Sequence, residues 1–148
     1  MASHAHSFIL GALCTAAVVA CHPRPLTSGM PGPGDKKVIT EEMIAHTGAS
    51  TAWDVLRREE PQMTFRENSN GQPTRMEQRG QTSMVLSDAP LVYVDGARLA
   101  DYRTLKDIPA STLKRIEILN SIEATTRYGT DAEGGAILIF TKNGSTGS

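Results

Sequence analysis

Apolar residues fall in short runs along this chain, separated by polar and glycine-rich stretches, and the spacing inside each run predicts its element. In "LKRIEIL", Ile116 and Ile118 face one way and Arg115 and Glu117 the other, which predicts a strand with one buried face. "AILIF", Ala136 to Phe140, is apolar throughout and predicts a central strand covered on both sides. "PLVYVDGARL" carries β-branched and aromatic residues from Leu91 to Val94, then Asp95-Gly96, a strong tight-turn pair. A shorter strand is expected around Met63 to Arg66, followed by an exposed polar loop, "ENSNGQPT", to about Arg75. Extended structure resumes in "MEQRGQTSMVL", with Gly80 as a bulge or bend.

Helical signals lie between these runs. Thr40 can cap a short helix opening on Glu41 and Glu42, whose charge suits a helix N-terminus. "TGAS" interrupts it. A second helix starts at Ser50 or Thr51, with Ala52, Val55 and Leu56 on one face, Trp53 beside them and Pro61 closing the stretch. "PASTL" reads as one helical turn with Ser111 near its start, and "SIEATTRYG" reads as a helix ending at glycine. The fold class is α+β: a small mixed sheet of about four or five short strands flanked by two or three short helices.

The first twenty residues have a different pattern. Phe8 to Ala20 is apolar and uncharged, the length of a signal-peptide core and too short to span a bilayer comfortably. Its end, Val18-Val19-Ala20-Cys21, resembles the bacterial lipobox. That resemblance implies cleavage before Cys21 and a covalent diacylglycerol and acyl lipid on it, as the one attached group expected. Residue His22 after it points to the outer membrane under the same resemblance. The leader holds His4 and His6 but no Lys or Arg, so an ordinary secretory signal with a Cys nearby is the alternative. Cys14 would leave with the leader; a Cys14–Cys21 disulfide is the alternative if the leader stays. "HPRPLTSGMPGPGDKK" then reads as a flexible Pro/Gly linker. The expected organisation is a signal at 1–20, lipidated Cys and linker at 21–37, a folded domain at 38–144 and a tail at 145–148.

Composition narrows the partners. The chain has 148 residues and a formal net charge of −1, with no basic stripe, which disfavours nucleic acid. Apolar residues make up 39% and aromatics 5%, enough for one modest core once about 110 residues remain to fold.

Each candidate for chemistry has a simpler reading. A phosphate-cradling glycine loop follows a strand and opens a helix. Gly129, Gly134 and Gly135 do the reverse, so they end a helix and permit positive φ on the way into a strand. His46 stands alone, without metal-ligand spacing. Glu41-Glu42 and Glu59-Glu60 are neighbours that diverge on a helix and read as solvated charge. Ser83, Ser87 and Ser111 lack a nucleophile-elbow context. Asp95 serves its turn. Arg79 with Gly80, and Arg127 with Tyr128, are candidates for internal pairing or partner contact. No catalytic, metal or cofactor site emerges.

The stretches "ITEEMI", "TAWDVLRREEP", "QRGQTS", "PLVYVDGARL", "DIPASTLKRIEIL" and "EATTRYGTDAEGGAILIFTKNG" together resemble the plug domain of TonB-dependent outer-membrane receptors, from about Val38 to Gly144. Pro109, Arg115, Ile116, Glu117, Leu119, Tyr128, Gly129, Gly134, Gly135, Ile137, Ile139, Thr141 and Lys142 fall on the family's motif positions. The resemblance implies a small mixed sheet with flanking helices, and makes the glycine cluster the last turn into the central strand. Asn120-Ser121 stands where the family often has Gly-Pro. The sequence as given stops at Ser148 without a barrel, and no TonB-box-like segment precedes the domain. The expectation is therefore a non-enzymatic, lipid-anchored interaction module facing the periplasm, with an outer-membrane barrel or transporter complex as partner and self-association at a free sheet edge. The alternatives are a binder of siderophore-like or carbohydrate ligands, contacting them through Glu67–Thr74 and Gln81–Asp88, and a structural lipoprotein or receptor relic.

Overall fold

The computed structural model describes residues 36–78 and 89–144. Cys21, Arg79, Gly80 and the segment Gln81–Asp88 lie outside the described residues.

Two sheets form. The larger is five-stranded, in the order β1-β6-β7-β4-β5: β1 is Lys37–Thr40, β4 Leu91–Val94, β5 Ala97–Arg98, β6 Leu113–Leu119 and β7 Ala136–Thr141. β7 is central, parallel to β4 and antiparallel to β6, so the sheet is mixed as expected. A separate two-stranded sheet pairs β2, Met63–Glu67, with β3, Pro73–Gln78.

The helices begin where the caps predict. Thr40 Oγ1 accepts from Met43 N at 3.4 Å and opens α1, Glu41–Thr47, which ends at Gly48 with φ 62°. Thr51 Oγ1 accepts from Asp54 N at 3.3 Å and opens α2, Ala52–Glu59. Asn120 Oδ1 accepts from Glu123 N at 2.9 Å and opens α3, Ser121–Tyr128. That cap gives the Asn120-Ser121 departure a local role. Single 3-10 turns cover Tyr102–Lys106, Ala110–Thr112 and Thr130–Ala132.

One sheet face carries Ile39, Val92, Ile116, Ile137 and Ile139 and packs against Ile44 of α1 and Trp53, Val55 and Leu56 of α2. Trp53 is fully buried and meets Phe65 edge-on, with ring centroids 5.1 Å apart. That contact holds the β2–β3 hairpin to the main core. The opposite face holds a smaller cluster of Leu119, Ala136 and Leu138, with Ala124 of α3 over it.

Three sequence expectations change. The polar loop after β2 is short, because Pro73 and Met76 are buried and draw β3 into the hairpin. Asn68 Oδ1, accepting from Asn70 N and Gln72 N, closes the turn. Glu60 is buried and ion-paired to Lys37 at 2.6 Å, so it is not solvated helix charge. The Arg115/Glu117 side of β6 is also covered, and Glu117 is 9% exposed. A bulge between Leu113 and Arg115 explains how β6 serves both faces: the extra residue lets Leu113 join the isoleucine core while Arg115 points the other way.

Candidate functional site

Of the predicted motif residues, Asp95, Gly96, Arg115, Thr141 and Lys142 lie at the end of the sheet where β7 ends, β6 begins and the β4–β5 turn falls, whereas Gly134 and Gly135 lie at the opposite end, where β7 begins beside Leu119. Arg115 sits opposite Phe140 in the ladder, with its guanidinium carbon 4.0 Å from the ring centroid. Its Nε donates to Glu117 Oε1 at 3.0 Å, and Lys36 Nζ meets Glu117 Oε2 at 3.1 Å. Burying a carboxylate is costly unless it is paired, and here two cations share the work. Tyr128, at the end of α3, stacks on Tyr93 of β4 with centroids 4.6 Å apart. Arg127 is exposed beside it. Arg127 and Tyr128, singled out together, thus have different surroundings.

Asp95 does more than shape its turn. It adopts φ 48°, and Gly96 follows at 86°, the paired left-handed geometry of a tight hairpin. Its Oδ1 accepts from Thr141 N at 2.8 Å and its Oδ2 from Thr141 Oγ1 at 2.7 Å. The carboxylate therefore ties the β4–β5 turn to the last residue of β7. Sequence reasoning singled out both residues but not their contact, because they lie 46 positions apart. Lys142, next in line, reaches Glu41 of α1 at 2.8 Å.

The glycine cluster is a structural turn. Gly129 takes φ 85° at the end of α3 and Gly135 takes φ 86° before β7, whereas Gly134 is buried and not left-handed. The amides of Gly129 and Gly135 donate to Thr125 O and Ala132 O, both at 2.9 Å. Those N–H groups are spent inside the turn and do not face an anion.

A polar hub that the sequence did not signal centres on Glu67. Its Oε1 accepts from Trp53 Nε1 at 2.7 Å and meets Lys106 Nζ at 3.0 Å, while Arg57 approaches Oε2 at 3.7 Å. The Lys106 hydrogen bond, opposed by burial and reinforced by Trp53 and the positive charges of Lys106 and Arg57, holds this carboxyl below the usual glutamate value. At the start of the 3-10 turn that ends in Lys106, Tyr102 donates to Pro90 O at 3.0 Å, and burial raises its phenol against the opposing pull of Arg75 and Arg98. A cavity of about 480 Å³ opens beside Tyr102, with Arg98 and Leu99 on its wall and Asp131 and Glu133 also lining it. His46 is exposed, and among the described residues no three His, Cys, Asp or Glu side chains group as a metal site.

A mixed sheet entered through a glycine turn, with a buried glutamate between two cations and the Asp95 carboxylate tied to Thr141, defines a small α+β domain. The chain belongs to the TonB-dependent receptor plug domain family, which it matches over residues 30–136. It is 35% identical over 114 residues to the vitamin B12 transporter BtuB of Vibrio cholerae serotype O1, covering 73% of this chain and 18% of that protein. The chain therefore spans under a fifth of this curated relative. Among solved structures it resembles the RagAB peptide importer in its open-open state, at TM-score 0.57 and 27% identity, over 74% of this chain and 12% of the other. It also resembles a variant of the ferric enterobactin receptor PfeA from Pseudomonas aeruginosa bound to enterobactin. That match has TM-score 0.54 and 28% identity, over 75% of this chain and 18% of the other. These relatives are transporters and receptors.

Proposed function

We propose that this plug domain is a non-enzymatic interaction module at the outer membrane, held there by lipid on Cys21 and docking against a β-barrel or transporter complex from the periplasmic side. The observation that carries the reading is the family match over residues 30–136, on a domain whose motif side chains Arg115 and Glu117, and Asp95 and Thr141, pair with each other. In-cell crosslinking from Asn70, at the exposed tip of the β2–β3 hairpin, followed by mass spectrometry of outer-membrane fractions tests it. Recovery of one barrel protein supports the reading; recovery of only the chain itself, or of nothing, removes it. A Cys21→Ala variant that stays in the membrane fraction would remove the lipid anchor.

A second reading, a binder of siderophore-like or carbohydrate ligands, draws on the cavity beside Tyr102. An apolar wall of Leu91, Val92 and Leu99 with Arg98, Asp131 and Glu133 nearby suits a small ligand of mixed polarity. Calorimetric titration with ferric chelates and oligosaccharides tests it, and flat titrations across both classes exclude it.

A further inference from the structure

The five-stranded sheet ends in two unlike edges. β5 is two residues long, too short to template a partner strand. β1 has four residues, pairs only with β6, and leaves its outer row of N–H and C=O groups unpaired among the described residues. Lysines commonly guard such an edge by standing off it into solvent. Here they fold inward: Lys37 reaches Glu60 at 2.6 Å and Lys36 reaches Glu117 at 3.1 Å. Val38, between the two lysines and Thr40, is 36% exposed. The guard is drawn aside, and among the described residues no strand pairs with this edge.

We propose that the β1 edge pairs with the β1 edge of a second copy of this chain, in antiparallel register about a two-fold axis perpendicular to the sheet. Such an axis keeps the helices of both copies on their own faces and sets residues of like facing opposite one another. The register must then centre on one residue. Centring on Val38 brings Lys36 against Thr40 of the second copy. Centring on Ile39 brings Lys36 to the first turn of the second copy's α1, where Glu42 stands, while Lys37 and Glu41 keep Glu60 and Lys142 of their own copy. The segment "KKVITEE" is thus charge-complementary to itself when reversed, which selects the Ile39 register. Glu42 is exposed and enters no ion pair among the described residues, and Lys36 keeps 38% of its side chain exposed beside Glu117. Glu42 is available across the edge, and the partly exposed Lys36 ammonium keeps Glu117 while reaching toward Glu42 of the second copy. Four-residue strands make an interface well below standard size, so the dimer is weak and concentration-dependent. This inference is independent of the barrel-docking reading.

Sedimentation velocity of the 148-residue chain over a concentration series tests it. The wild type is expected to shift from monomer to dimer as concentration rises. Glu42→Lys, and separately Lys36→Glu, should each raise the dimer dissociation constant about tenfold at low salt, since two attractive contacts become repulsive. An equimolar mixture of the two variants restores both attractions and should dimerise as the wild type does. A wild type that stays monomeric throughout, or a mixture no better than its components, overturns the proposal. Should Lys36→Glu fail to fold, Glu42→Lys carries the test alone. Its defect must shrink toward wild type as salt screens it, and a dissociation constant unchanged at low salt overturns the proposal.

Discussion

Replacing Gly135 by alanine strikes the point where the second core cluster meets the central strand. Gly135 holds φ 86°, a backbone conformation that an L side chain adopts only under strain. A Cβ there would lie 2.7 Å from Leu119 O, a backbone atom at the end of β6 that cannot rotate aside. The residue is also committed by hydrogen bonds, donating to Ala132 O at 2.9 Å and accepting from Leu91 N at 3.0 Å. Relief in either direction therefore pulls on the helix-to-strand turn or on the β4–β7 pairing. Backbone strain of this kind costs about 1–3 kcal/mol. With the steric contact added, the expected loss is about 3 kcal/mol, a large share of the stability of a domain this size. At roughly 4–8 °C per kcal/mol, the melting temperature should fall by about 12–24 °C. Trp53, the only tryptophan and fully buried, reports unfolding by fluorescence in urea or on heating. Gly129→Ala is the comparison: φ is 85° there, but nothing lies within 4 Å of the added Cβ, so strain alone should make it the milder change. A Gly135→Ala loss below about 1 kcal/mol, or equal losses at both sites, would refute the argument that close approach to Leu119 matters.

Asp95→Ala removes two charge-assisted hydrogen bonds to Thr141 and leaves a β7 amide without its partner, so a loss of about 2 kcal/mol is expected in urea unfolding. Thr51→Ala removes the acceptor for Asp54 N at the start of α2 and should cost about 1 kcal/mol in the same assay. Glu67 gives a pH prediction. Its folded pKa lies below the ordinary glutamate value of 4.5, so its contribution is full above about 4.5 and fades as pH falls through the lower folded value. Wild type should therefore lose stability more steeply than Glu67→Gln on acidification below that value, and parallel curves would show that Glu67 is not the group responsible.

How much of this was legible beforehand depends on the range of each interaction. Caps, turns and strand periodicity are local. Thr40, Thr51, Asp95-Gly96 and the glycine that ends α3 announced themselves because a residue and its hydrogen-bond partner lie within one turn. The apolar run from Ala136 to Phe140 likewise read as a central strand, since only a strand covered on both sides needs no polar face. Sequence alone thus determined the α+β class, the order of most elements and, through its motif series, the family. Tertiary structure decided what contacts what. Alternation made Arg115 and Glu117 look solvent-facing, yet Lys36 and Phe140 come from distant segments to pair with and cover them. A polar stretch from Gln62 to Arg75 hid the start of β3 because its few apolar residues, Met63, Phe65 and Pro73, become anchors only when the core around Trp53 receives the hairpin. Glu67 gave no signal, since its partners Trp53, Arg57 and Lys106 meet only once α2 and the Tyr102–Lys106 turn have packed. Local chemistry sets the elements; the buried charges and the Asp95–Thr141 tie exist only after chain segments far apart in sequence are brought together, and no short-range pattern encodes that meeting.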